Sequence, residues 1–336
     1  LPADERSVDS FRRCAAARMF LRLRSWNAPL RLYILPRMKT FQTIATRMLV
    51  LCFAMGVAVQ ARAQTKPGHS AAAKPASTVQ MALPSHGDML LGVFYLAAGA
   101  GPHPTAIIFH GFPGYEQNLD IAQYLRARGW NVLAMHYRGS WGVKGDFSFE
   151  HCAEDADTQV EFLLDAANAR KYGIDRHRVI VIGHSMGGFM AASATAHNRQ
   201  VIGTVLLSAW NPDAYYARHH AFPATEEIAH EAKTLAMDNN LLPLAGTSGE
   251  TLAREIYEHQ RALNINNLAP AIAPRPVFVI TANEGLAPSD DAFAEALRKA
   301  GDTRVAERHW NTDHSYSGVR AELCRAIFEW AQANVR

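Results

Sequence analysis

Short apolar runs alternate with amphipathic stretches from residue 78 to the end of the chain. TVQMAL (78–83) and MLLGVFYLA (89–97) flank the turn residues SHGD, which predicts a leading antiparallel hairpin. Further strands are expected at TAIIFH (105–110), NVLAMHY (131–137), RVIVIG (178–183), VIGTVLLSA (201–209), PVFVITA (276–282) and TRVAERH (303–309). Helical patterns fall between them at 117–128, 153–170, 186–197, 289–300 and 317–334. In the second of these, Val160, Phe162, Leu163, Leu164 and Ala167 recur near helical spacing. The alternation predicts an α/β fold with a mostly parallel central sheet and helices on both faces. Unbroken runs such as IIF and VIVI fit strands buried on both sides.

Residues 210–270 break the alternation. They hold helical stretches at 224–238 and 249–263 and the loop LLPLAGTSG, with no strong strand signal. An insertion of this size between two sheet strands predicts a helical cap over the sheet's edge, within a domain expected at 79–336.

Ahead of the domain the pattern is different. From Met38 a basic segment with Lys39 and Arg47 leads into twelve apolar residues, MLVLCFAMGVAV, and then the small-x-small box Ala61-Arg62-Ala63. This is the layout of a signal peptide over 38–63, cleaved before Gln64. Twelve apolar residues fall short of the ~20 that span a bilayer. The expectation is an exported protein, periplasmic or extracellular, with no stable membrane span after cleavage. Residues 64–78, rich in Ala, Pro, Ser and Lys, read as a flexible linker. Residues 1–37 are Arg-rich, begin with Leu and precede Met38, and read as an upstream extension.

Charge changes the picture little. The net charge of +3 is uneven: residues 1–63 hold 11 of the 34 basic and 3 of the 31 acidic residues, leaving 23 against 28. The body is mildly acidic, and no nucleic-acid partner is expected. Past the front segment two cysteines remain, Cys152 and Cys324. They could bond in an oxidising compartment, but spacing alone does not license a disulfide. No zinc spacing is present, and neither metal nor cofactor is expected.

The candidate chemistry begins at Gly183-His184-Ser185-Met186-Gly187-Gly188, placed directly after a strand and before a helix. This is G-x-S-x-G in a strand–turn–helix context. A sharp turn pushes the Ser185 hydroxyl above the sheet as a nucleophile, and glycines on either side leave room for close packing. The backbone N–H of Met186, at the helix N-terminus, is one expected oxyanion donor. A second glycine turn, His110-Gly111-Phe112-Pro113-Gly114, follows an early strand, and the N–H of Phe112 is the other expected donor. His110 is read as shaping that turn.

These motifs, with Tyr137-Arg138-Gly139-Ser140-Trp141-Gly142, then Gly145-Asp146-Phe147-Ser148 and a late Asp313-His314, resemble the α/β-hydrolase superfamily over roughly residues 85–335. The likeness is to its dienelactone-hydrolase-like and serine-aminopeptidase-like branch. The resemblance implies the order Ser, acid, His, and so His314 as the base. It also implies an acid in the loop after PVFVITA. Glu284 stands there, four residues before Pro288, where the family carries Asp. Asp290 and Asp291 are the alternatives, with a competing role as charges at a helix start. His219, His220 and His230 are read as solvated cap residues, and His259 and His309 as poorly placed. The implied activity is a serine hydrolase forming an acyl-enzyme on Ser185 with a small ester. A short peptide cleaved by a serine peptidase or aminopeptidase is the second option, and a non-catalytic binding protein on the same fold the third. Trp210, Tyr215, Tyr216 and Phe222 could line an acyl pocket or pack cap on body, and Glu226-Glu227 could hold a peptide amine. Oligomeric state is unreadable.

Overall fold

The leading hairpin is β1 (Ser77–Ser85) and β2 (Asp88–Leu96), paired antiparallel and closed by His86 and Gly87. Both turn residues have positive φ, 46° and 93°, as a two-residue turn between twisted strands requires. The computed structural model describes residues 74–212 and 223–335. The chain divides into two units, Leu1–Gly68 and His69–Arg336. The expected extension 1–37, the signal segment 38–63 and linker residues 64–73 lie outside the described residues. β1 opens at Ser77, so the linker expected to run to 78 ends two residues sooner.

Six further strands follow: β3 (His103–Phe109), β4 (Asn131–Met135), β5 (Ile174–His184), β6 (Val201–Leu207), β7 (Val277–Thr281) and β8 (Val305–His309). Sheet order is β1-β2-β4-β3-β5-β6-β7-β8. β2 meets β4 antiparallel, and every neighbour from β4 onward is parallel. The helices longer than one turn are α1 (Leu119–Arg126), α2 (Phe149–Leu164), α3 (Ala166–Tyr172), α4 (Met186–His197), α5 (Ala224–Ala236), α6 (Gly249–Glu258), α7 (Ala287–Lys299) and α8 (Arg320–Asn334).

Period-2 alternation distributes the apolar runs between two core layers. Ile107, Phe109, Val179 and Val181 face Phe149 and Val160 of α2 and Phe189 of α4. Ile108, Ile180 and Ile182 face Ile121 and Leu125 of α1 and Leu323 and Ile327 of α8. Strand β5, which leads into the candidate nucleophile Ser185, is therefore held from both sides.

Two expectations change, and one open question closes. The single helix expected over 153–170 is two, because Asp165 leaves helical geometry (ψ 133°). Its carboxylate accepts from the N–H groups of Ala167 and Asn168 at 2.9 and 2.8 Å, an N-cap that starts α3. The closing helix begins at Arg320, after a 3-10 turn at Ser317–Val319. Cys152 and Cys324 are both free and buried, in opposite core layers with the sheet between them, which rules out the disulfide.

Between β6 and β7 stand α5 and α6, packed together through Ile228, Leu235, Leu252 and Ile256. Tyr215, Tyr216, His219, His220 and Phe222 lie outside the described residues. Segment 241–245 is stitched to the loop after β4 by backbone hydrogen bonds. Trp141 N donates to Pro243 O (2.8 Å), Phe147 N to Ala245 O (2.9 Å) and Ala245 N to Gly139 O (2.8 Å).

Candidate active site

Ser185 joins β5 to α4 with φ 56° and ψ −123°. This region is costly for any residue with a Cβ, by about 1–3 kcal/mol, and persists only where surroundings impose it. Here they do. Ser185 N donates to Leu207 O (2.9 Å), and Ser185 O accepts from Gly188 N (2.8 Å) and Trp210 N (2.9 Å). A Cβ at Gly183 would overlap Gly187 O, and one at Gly187 would overlap Phe109 O. The glycines of the motif are thus a packing necessity of the turn. Met186 is the first residue of α4 and is buried, so its N–H belongs to the unpaired set at the helix start.

The 110–114 turn lies directly against Ser185. A Cβ at Gly111 would sit 2.9 Å from Ser185 Cβ and 3.5 Å from its Oγ. Phe112 is partly buried with its ring 5.9 Å from Phe147 and 6.0 Å from Phe149. His110 is buried, and its Nδ1 donates to Gly111 O at 2.8 Å. Its Nε2 is therefore an acceptor, and His136 Nδ1, 3.2 Å away, donates to it. Burial holds His110 down to about 4, against the upward pull of that carbonyl, and burial also lowers His136. The Gly111 carbonyl shares one rigid peptide plane with the Phe112 N–H. The histidine pair therefore fixes the direction of the expected oxyanion donor.

His314 and Glu284 come from separate loops that are tied together. Asn283 N donates to Thr312 O at 3.1 Å, and His309 Nε2 donates to Asn283 Oδ1 at 2.8 Å. Tyr316, buried, donates to Ile280 O at 2.9 Å and pairs with Ser208 Oγ at 2.7 Å. His314 Nδ1 then stands 4.0 Å from Glu284 Oε1. The Glu284 side chain is 12% exposed, and among the described residues neither its oxygens nor His314 Nδ1 has a hydrogen-bond partner. Burial lowers His314 from its ordinary value, and Glu284 and Asp313 oppose the shift. His184 packs against His314 with ring centroids 4.7 Å apart and planes tilted by 37°, and its Nε2–H donates to His314 O at 2.8 Å. That donor fixes the His184 tautomer, and burial holds it neutral, down at about 3. Ordering alone could not have identified His184 as a brace for the histidine loop; x in G-x-S-x-G carries no such signal.

The other candidates separate cleanly. Asp290 is in the first turn of α7, as expected, but only 2% exposed. Burial, and then the charge of Glu284, raise its carboxyl well above the usual range, which weakens its case as the charged partner of a histidine. Asp291 and His230 are exposed, as are His259 and His309. Trp210 packs on Phe149 of α2 at 4.7 Å. Glu226 is exposed, but Glu227 is buried, as is Glu231 one turn on.

Comparison with known proteins agrees with this architecture. A family profile described as "Alpha/beta hydrolase family" matches residues 106–326. Epoxide hydrolase 3 of Xenopus tropicalis is 26% identical over 152 residues, 43% of this chain and 39% of that protein. Protein bem46 of Schizosaccharomyces pombe is 30% identical over 106 residues, 31% of this chain and 34% of that protein. The matched stretch spans about two-fifths or less of the length of these curated relatives. Among solved structures, the Pyrococcus furiosus esterase Pf2001 superimposes with TM-score 0.56 at 17% identity, covering 78% of this chain and 92% of that one. The Pyrococcus horikoshii acylaminoacyl peptidase gives 0.55 at 17%, covering 78% and 42%. At these identities the structural likeness is one of fold.

Proposed function

The chain belongs to the alpha/beta hydrolase family, and we propose that it is a serine hydrolase cleaving an ester bond of a small substrate through an acyl-enzyme on Ser185. The observation that carries this reading is the strained Ser185 elbow pressed against Gly111. That geometry supports a nucleophile and an oxyanion turn sharing one reacting centre. In this reading His314 takes the proton from the Ser185 hydroxyl as the oxygen attacks the carbonyl. Glu284 orients the imidazole and stabilises its cation. The N–H groups of Met186 and Phe112 hold the oxyanion. His314 returns the proton to the leaving group, and water, activated the same way, releases the acyl group.

Fluorophosphonate labelling of the purified protein tests the reading. The reagent adds to Ser185 and not to a Ser185→Ala variant. An unlabelled wild type moves the protein to a non-catalytic binding role on the same fold. Hydrolysis of short p-nitrophenyl esters beside aminoacyl p-nitroanilides then separates ester from peptide substrates. One observation favours the aminopeptidase alternative: Glu227 and Glu231 are buried in the cap, each with one carboxylate oxygen unpartnered among the described residues. Burial raises Glu231 to about 7. A substrate ammonium group would satisfy such a pair.

Two further results are expected. The base works only when neutral, and burial lowers His314 below 6.5. The acidic limb of kcat/KM therefore has its midpoint below pH 6.5, with activity rising as pH rises through it. A midpoint above 6.5 in a pH–rate series contradicts the role of His314. His110→Phe removes the bond to the Gly111 carbonyl and frees the Phe112 N–H to turn. Turnover falls by roughly 100-fold while KM stays within a few-fold, as for loss of one oxyanion donor. Steady-state kinetics on a short ester reads both.

We also propose export, supported by the 38–63 signal layout. Mass spectrometry of protein expressed in a bacterial host is expected to find a mature N-terminus at Gln64; an uncleaved 38–63 segment overturns it.

A further inference from the structure

Among the described residues six large apolar side chains are exposed, and three of them meet at one place. Tyr115 (56% exposed), Trp141 (36%) and Leu242 (77%) line a groove of about 700 Å³, with Pro243 and Lys144. A soluble surface does not normally gather such side chains without use. The Tyr115 and Trp141 rings pack edge to face at 5.2 Å, and Tyr115 Oη donates to Asn239 O at 3.2 Å. Trp141 Nε1 donates to Pro113 O at 2.7 Å, which fastens the groove wall to the 110–114 turn. The cap-to-body bonds described above hold the opposite wall in place, so the groove is preformed.

The groove is also within reach of the nucleophile. Gly111 touches Ser185, and Tyr115 is four residues further on, a span of at most about 14 Å. Its charge is one-sided. Lys144 is exposed, is the charged residue among those lining the groove, and has no ion-pair partner among the described residues. The carboxylates of Asp88 and Asp146 lie against Gly145 and Gly246, and neither lines the groove.

We propose that this groove is a substrate subsite for a flat aromatic arm bearing a carboxylate, carried by the ester on the side away from the scissile bond. The rings of Trp141 and Tyr115 take the aromatic face and Lys144 takes the carboxylate. The proposal rests on the serine-hydrolase reading for its place in the reaction, but its binding step can be read without turnover.

The test titrates 2-naphthoate, and neutral 2-naphthylmethanol, into the Ser185→Ala protein by calorimetry. Naphthoate is expected to bind. Lys144→Gln weakens it at least tenfold and leaves naphthylmethanol within twofold. Trp141→Ala weakens both at least tenfold; Tyr115→Ala, a more exposed change, repeats the loss if Trp141→Ala does not fold. Naphthoate binding that is absent, or unchanged by Lys144→Gln, overturns the subsite. Naphthoate binding with this pattern, beside a wild type that fluorophosphonate does not label, keeps the subsite and removes the serine-hydrolase reading instead.

Discussion

Ser185→Ala lowers turnover by roughly 10⁴- to 10⁶-fold and leaves the fold intact. The size follows from how a nucleophile, its base and its acid act as a unit: removing the nucleophile alone loses nearly everything except the oxyanion donors and binding. The fold survives because alanine keeps the Cβ already accommodated at φ 56°, and the bonds that impose this φ come from backbone atoms of Leu207, Gly188 and Trp210. Unchanged circular dichroism and melting, beside activity roughly 10⁴- to 10⁶-fold below wild type, is the expected pair of results. Activity within tenfold of wild type would mean that Ser185 is not the nucleophile. The same assay decides the acid. Glu284→Gln, which keeps the shape but lacks the charge, loses roughly 10²- to 10⁴-fold. Asp290→Asn, which replaces a buried carboxyl already raised well above the usual range by a neutral amide, loses less than about tenfold. The reverse order would transfer the role to Asp290.

Arg138→Ala destabilises the protein by about 3–5 kcal/mol, the cost of leaving one member of a buried ion pair alone. Asp155 on α2 is fully buried and accepts from Arg138 Nε (2.7 Å), Arg138 N (2.8 Å) and Ser85 Oγ (2.6 Å). Arg138 also bonds Glu154 and, at 3.0 Å, His151 O. This network fastens the loop after β4, which carries Trp141 and meets the cap. The two partners titrate instructively. Burial pulls Arg138 down, yet Glu154 and Asp155 outweigh it and raise it. Burial raises Asp155 despite its hydrogen bonds. The pair therefore gains less than its short distances imply, and its value lies in holding the loop. Without Arg138, burial acts on Asp155 with less opposition, and the folded state binds its proton more readily than the unfolded one. Stability of the variant then falls as pH rises, so its deficit is larger at pH 8 than at pH 5. Urea midpoints at the two pH values measure this. A deficit below about 1 kcal/mol at pH 8 would place the pair among weak surface contacts. Arg138→Met with Asp155→Leu recovers part of the loss, because no charge is then left buried.

Most of the architecture was legible along the chain because it is written in local terms. Period-2 runs such as VIVI marked strands buried on both faces, and β5 to α4 could be read as one strand–turn–helix unit around Ser185. The Asp165 cap that divides α2 from α3 was equally local and was missed because helical spacing of apolar residues runs on through it. The order Ser185, Glu284, His314 came from resemblance and not from spacing, since 99 residues of fold separate Ser185 from Glu284.

Only the tertiary structure decided where side chains stand relative to the sheet and to water. Cys152 and Cys324 have similar chemistry in the sequence, yet α2 and α8 carry them to opposite core layers. Asp290 and Asp291 are adjacent, but the face of α7 buries the first and exposes the second, and burial raises the carboxyl of Asp290 well above the usual range. The Lys144 groove joins the loop after β4 to a cap segment about a hundred residues later. Hydrophobic period and turn chemistry act between near neighbours. Desolvation, charge pairing and the meeting of distant loops depend on which surfaces the whole chain brings together, and no stretch of sequence contains that information by itself.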